Sequence, residues 1–179
     1  MIAELRAQAG LSYAFVERQL MLMRRYWLWE IVWIVYSITT SLSVAYIGLA
    51  QPIITGASTD AATTSRFVLY LLVGTIAWRF LGIVLEDLAE LIAWERWEGT
   101  LEHTFMAPVP RLTQLLGMAL GTVVRAAVIS ILVLFAVMLF VPVDLSRANA
   151  LSAFTLLGVG TVAFIGLGIA SAAFPLMWT

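Results

Sequence analysis

Cysteine and lysine are both missing from this chain, histidine occurs once, and charge of either sign is scarce. Without cysteine there can be no disulfide scaffold, thiolate metal site or cysteine nucleophile. All ten basic residues are arginine, so nothing resembles a polylysine arm for nucleic acid, and no nucleic-acid partner is expected. Charged residues make up 12% of the 179 positions, against about 25% in a typical soluble domain. With one histidine, an enzyme would need a carboxylate-rich site built from the acids of 86–102, or His103 paired with Glu98 or Glu102. Glu102 and His103 are adjacent, which is the wrong spacing for an E-x-x-H ligand pair. A solvated acidic face accounts for the same residues, so the chain is not expected to be an enzyme or to bind a metal or cofactor itself.

What is abundant is apolar sequence, 62% of the chain with a mean hydropathy of +0.98. Its arrangement in long runs marks an all-α integral membrane protein. Four runs are long enough to cross a bilayer, at about 27–50, 67–91, 112–141 and 150–174. Between the first two, 51–66 is rich in Gly, Ser, Thr and Pro and reads as a loop. Pro142 to Asn149 reads as a tight turn, and Pro175 follows the fourth run. Residues 1–26 form a separate segment, and Glu4, Arg6, Glu17 and Arg18 rule against a signal peptide there. Ile2, Leu5 and Ala9 fall at helical spacing, Gly10 breaks the pattern, and Tyr13, Val16, Leu20 and Met23 resume it. With Tyr26, Trp27 and Trp29 as aromatic anchors, this suits an amphipathic helix in the membrane interface. A polar lead-in to the first span is the simpler alternative.

Arginine placement sets the expected orientation. Arg6, Arg18, Arg24, Arg25, Arg96 and Arg111 flank one side of the spans, and only Arg66 and Arg147 flank the other. The N-terminus, the loop between the second and third spans and the C-terminus are therefore expected in the cytoplasm of a cell-membrane protein. Small residues four apart (Gly117/Gly121, Gly166/Ala170, Gly168/Ala172) are candidate helix-contact faces. Arg79 and Arg125 lie inside the apolar runs, where a charge normally faces protein or water. Cβ tilt points Arg79 away from the nearer inner edge, and Arg125 is about 20 Å of helix from Arg111, so snorkelling is an incomplete escape for either. Two readings stay open: cations lining a substrate pathway, or interhelical bonds to carbonyls or to acids such as Glu86 or Glu90.

The most polar stretch is LEDLAELIAWERWEGTLEHTFMAPVPRL, residues 85–112, with six acids, two arginines and the histidine. Asp87, Glu90 and Glu86 continue the second helix outward, with Trp94 and Trp97 facing an interface or a partner. Gly99 interrupts it, Thr100 can N-cap a new helix, and Glu102 in the first turn suits the helix dipole. That short helix is expected over Leu101–Ala107, ended by Pro108 and Pro110. Leu101, Phe105 and Met106 would form an apolar face suited to a groove on another protein.

Ala93 to Glu102 reads AWERWEGTLE, followed by APVP at 107–110 and LLG at 115–117. This resembles the permease signature of type-2 ABC transporters, the exporter class, with Glu95, Arg96, Glu98, Gly99, Thr100 and Glu102 matching position by position. The resemblance implies that the 94–107 loop is a coupling helix seated on a separate ATP-binding subunit through Glu95, Arg96, Glu98, Gly99, Thr100, Leu101, Glu102 and Phe105. It further implies an interfacial connecting helix at the N-terminus, a second permease copy as partner, and ATP and Mg held by the partner ATPase. The chain itself has no G-x-x-x-x-G-K-[ST] phosphate loop. Family members usually have six spans, so these four are expected to be the first four of a C-terminally truncated permease. The alternative function is a non-transporting membrane anchor for a soluble partner.

Overall fold

In the computed structural model, residues 2–55, 60–106, 109–141 and 149–173 are described. They form six helices: α1 Ile2–Arg25, α2 Trp27–Thr55, α3 Ala61–Trp97, α4 Leu101–Met106, α5 Arg111–Phe140 and α6 Ala150–Ala172. No strand occurs among the described residues. Four helical segments are long and apolar enough to cross a membrane: Trp27–Gln51, Thr63–Trp97, Arg111–Phe140 and Leu151–Ala172.

Helix boundaries depart from the sequence reading in two places. Gly10 does not interrupt α1, which is continuous through it; one interior glycine costs about 1 kcal/mol, too little to stop a helix packed along its length. The expected 51–66 loop shrinks, because α2 runs on to Thr55 through Pro52 and α3 begins at Ala61. The second long helix continues past its span to Trp97, as expected with Gly99 as its first interruption, since neither Gly nor Pro occurs between Gly82 and Gly99. The short helix α4 is described over Leu101–Met106; its expected last residue Ala107, and Pro108, lie outside the described residues. So do 142–148 of the expected turn, with Arg147, and everything from Phe174 onward. Asn149 caps α6, its side-chain oxygen accepting from the Ser152 amide at 3.1 Å.

α3 is the central helix. Its residues Val68, Leu72, Ile83, Val84 and Leu88 join Ala45 of α2 and Ile129, Val133 and Val137 of α5 in one buried cluster. α6 packs on another side of α3, and Gly168 and Ala172 form the close contact there. A Cβ at Gly168 would fall 2.7 Å from that of Leu88, and Ala172 is buried. The Gly166/Ala170 pair points into open space. Leu157, Phe164 and Ile165 of α6 also pack partly buried against the core, while Phe154, Leu156, Val159 and Val162 on its other side are exposed, as expected of a face turned to lipid or another helix.

The Gly117/Gly121 pair meets α1 rather than another span. A Cβ at Gly117 would lie 2.6 Å from the Phe15 ring, and one at Gly121 would lie 3.3 Å from Gln19 Cβ. Since 15 faces 117 and 19 faces 121, α1 and the first half of α5 run in the same direction. At Tyr26 the chain makes a one-residue turn, with the Tyr26 amide bonded to Leu22 and the Trp29 and Glu30 amides to Tyr26. α2 then continues alongside the second half of α5.

Candidate functional site

Two groups of polar side chains stand out: the junction of α3 and α4, and the charged contacts among α1, α2, α3 and α5.

The junction is built by how α3 ends. The Thr100 amide bonds to the Glu95 carbonyl at 3.0 Å and the Gly99 amide to Arg96 at 3.3 Å. Gly99 sits at φ 70°, a left-handed value that side-chain-bearing residues adopt only at a cost. This paired closure of the last carbonyls by a left-handed glycine is a Schellman motif. It turns the chain sharply, so that α4 starts at Leu101, immediately past the end of α3. Thr100 Oγ1 also donates to the Glu95 carbonyl at 3.4 Å.

The motif residues divide across this junction. Glu95 faces inward, only 5% exposed, and its carboxylate accepts from Arg18 Nη1 of α1 at 3.0 Å. Arg96, Glu98, Gly99 and Glu102 are exposed, as are His103 and Met106, and Thr100 is half-buried. Trp94 and Trp97 are exposed and stacked edge-to-face at 6.0 Å between centroids. Trp94 Nε1 donates to Glu90 at 3.1 Å. The side chains of Leu101 and Phe105 lie outside the described ones. No three metal-ligating side chains gather among the described residues.

The second group settles how each intramembrane arginine is held. Arg125 Nε and Nη2 each donate to Glu30 at 3.0 Å, and Nη1 reaches both oxygens of Asp87 at 2.6 Å. One guanidinium thus bridges α2, α3 and α5 with two carboxylates, all three side chains at most 20% exposed. Of the readings left open by the sequence, the interhelical one describes Arg125, although its partners are neither Glu86 nor Glu90. Glu30 reads as an edge charge and Asp87 as a solvent-side extension of the second helix because sequence gives no common depth scale. That scale can be recovered by counting. Glu30 to Gln51 and Arg66 to Asp87 each span about 31 Å at 1.5 Å per residue, close to a hydrocarbon core of about 30 Å.

Arg79 is held differently. Its Nε donates to Ser37 Oγ at 3.0 Å, and Nη1 lies 3.8 Å from Glu86. Its guanidinium sits 5.6 Å from the Trp33 ring centroid. Glu86 is therefore an acid partner, as the sequence allows, at a distance beyond hydrogen bonding. It lies seven residues along α3 from Arg79, toward the Trp97 end, so the two long side chains reach toward each other despite the outward Cβ tilt of Arg79.

No family model, curated protein or solved structure matches the chain.

Proposed function

We propose that this chain is a membrane-spanning permease subunit of an ATP-driven exporter, similar to the type-2 ABC class, with α4 and the end of α3 as the seat for a separate ATPase. The observation that carries the reading is the division of the AWERWEGTLE segment. Glu95 is turned inward onto Arg18, while Arg96, Glu98, Glu102 and Met106 are presented outward from a rigid turn. A loop serving only to connect α3 to α5 has no need of a left-handed glycine closure and an ion pair from a buried Glu95 to Arg18 beneath it.

Force on α4 has two routes into the bundle. One runs through the Schellman turn into α3, which packs on α2, α5 and α6. The other runs through Glu95 and Arg18 into α1, which lies along α5 against Gly117 and Gly121. Both converge at Arg125, where three helices are tied by one guanidinium. In this reading the Arg125 level marks the cytoplasmic boundary of the hydrocarbon layer. α1, the first turns of α5 and the last turns of α3 then lie in the headgroup zone or beyond it. Two copies, each with its ATPase, would alternate between inward- and outward-facing arrangements around a shared pathway.

Purification of the full chain from its native membrane tests the reading. An ATPase should co-purify, and Glu98→Arg together with Glu102→Arg should weaken its recovery without changing chain abundance. Undiminished recovery in the double reversal would count against this seat.

A further inference from the structure

The two intramembrane arginines are not equivalent. Arg125 makes four hydrogen bonds to two carboxylates, each engaged through both oxygens. Arg79 makes fewer. A guanidinium has five N–H donors, and among described residues only Nε of Arg79 makes a hydrogen bond. The acceptor, Ser37 Oγ, gives its own proton to the Trp33 carbonyl at 2.7 Å, so a lone pair stays turned toward Arg79. The nearest carboxylate is 3.8 Å away on Glu86, whose side chain is 62% exposed. Arg79 is itself 21% exposed, enough to meet a molecule arriving from the surface of the bundle.

The surroundings describe that molecule. Trp33 offers a ring to the guanidinium and continues into an edge-to-face ladder with Trp29 at 6.1 Å and Tyr36 at 5.9 Å. All three rings are exposed on α2. An underused cation at the edge of an apolar aromatic shelf, within a membrane-spanning segment, complements a molecule with an anionic head and an apolar body. Charge at this depth is held only where a partner compensates it, and here compensation by the protein is incomplete.

We propose that the α2–α3 face at Arg79, Ser37 and Trp33 is a binding site for an anionic amphiphile, which arrives laterally from the bilayer. Its charged group bonds Arg79 and its chain lies on the Trp29–Trp33–Tyr36 shelf. The site stands on α2 and α3 alone and does not depend on an ATPase partner.

The test uses the full chain in phosphatidylcholine nanodiscs at mildly alkaline pH. Tryptophan fluorescence is titrated with a doxyl-labelled stearate and, separately, with its methyl ester. Charge-assisted hydrogen bonding implies that the carboxylate quenches at about tenfold lower mole fraction than the ester. Arg79→Gln should reduce that preference to about twofold or less, while Arg79→Lys should retain an intermediate preference by keeping the charge without the guanidinium over the Trp33 ring. Trp33→Phe should remove much of the acid-selective quenching. Equal quenching by acid and ester in the unsubstituted chain overturns the proposal, as does full preference in Arg79→Gln. If Arg79→Gln does not fold, the Trp33→Phe pair decides: acid-selective quenching left intact there places the ligand elsewhere and overturns the site.

Discussion

Arg125 shows what one side chain can impose on a bundle with few polar contacts. Removing it leaves Glu30 and Asp87 facing each other with no cation between them, and breaking such a buried arrangement typically costs about 3–5 kcal/mol. Arg125→Ala should therefore lower unfolding stability in detergent by that order. Combining it with Glu30→Gln and Asp87→Asn should recover a substantial part, since no charge is then stranded. A smaller loss in the single variant than in the triple one would mean that the three groups do not act as a unit. Gly99 carries a different burden, because alanine there must adopt φ 70°. We expect Gly99→Ala to cost about 1–2 kcal/mol and to weaken ATPase recovery without loss of membrane insertion. Much of this was out of reach from sequence. The motif picks out Gly99 and Glu98 directly, but Glu95 reads as one more outward acid, because its partner Arg18 lies 77 positions earlier. The signal for the Arg125 cluster was present in Glu30, the one acid in an otherwise apolar first span, but nothing local says which cation it meets.

Among the elements, α1 is where structure adds most to sequence. Periodicity and the closing arginines indicate a helix over residues 2–26, and the Gly117/Gly121 spacing indicates a close-packing face on α5. Neither signal says that these two meet. With no hydrophobic drive between helices in lipid, small residues mark where backbones can approach but not which helix arrives. The same limit explains α6, where Gly168/Ala172 is a contact face and the equally spaced Gly166/Ala170 is not. Gly117→Val should therefore force α1 off α5, since even a Cβ would lie 2.6 Å from Phe15. Overpacking of this kind typically costs about 1–3 kcal/mol. In the cysteine-free background, a cysteine pair at Gln19 and Gly121, whose Cβ positions lie 3.3 Å apart, should crosslink readily, and Gly117→Val should abolish that crosslink. Retained crosslinking would show that Phe15 simply rotates away. Helix extents, in contrast, were largely legible. All four spans stand where apolar runs place them, and Gly99 marks the end of the second helix; the 51–66 stretch is less legible, because Pro52 does not stop α2 before Thr55 and α3 begins at Ala61.

At the scale of the whole molecule, the charged contacts define a level across the bundle that hydropathy alone blurs. If the Arg125 level is the inner membrane boundary, cysteines introduced at Met21, Trp97 and Leu116 should react with water-soluble maleimide in inverted vesicles, and one at Ile131 should not. Equal protection at Leu116 and Ile131 would move the boundary toward Arg111 and bury α1 in the bilayer. The central claim is that the exposed turn beyond Gly99 receives an ATPase on the cytoplasmic side. Its most direct test is a photo-crosslinking residue at Glu102 in the full chain in living cells, with the adduct identified by mass spectrometry. The expected adduct is a soluble protein carrying a phosphate-binding G-x-x-x-x-G-K-[ST] loop, captured from the cytoplasmic face and reduced by Glu98→Arg. Capture of proteins from the opposite face, or of lipid alone, would contradict the account.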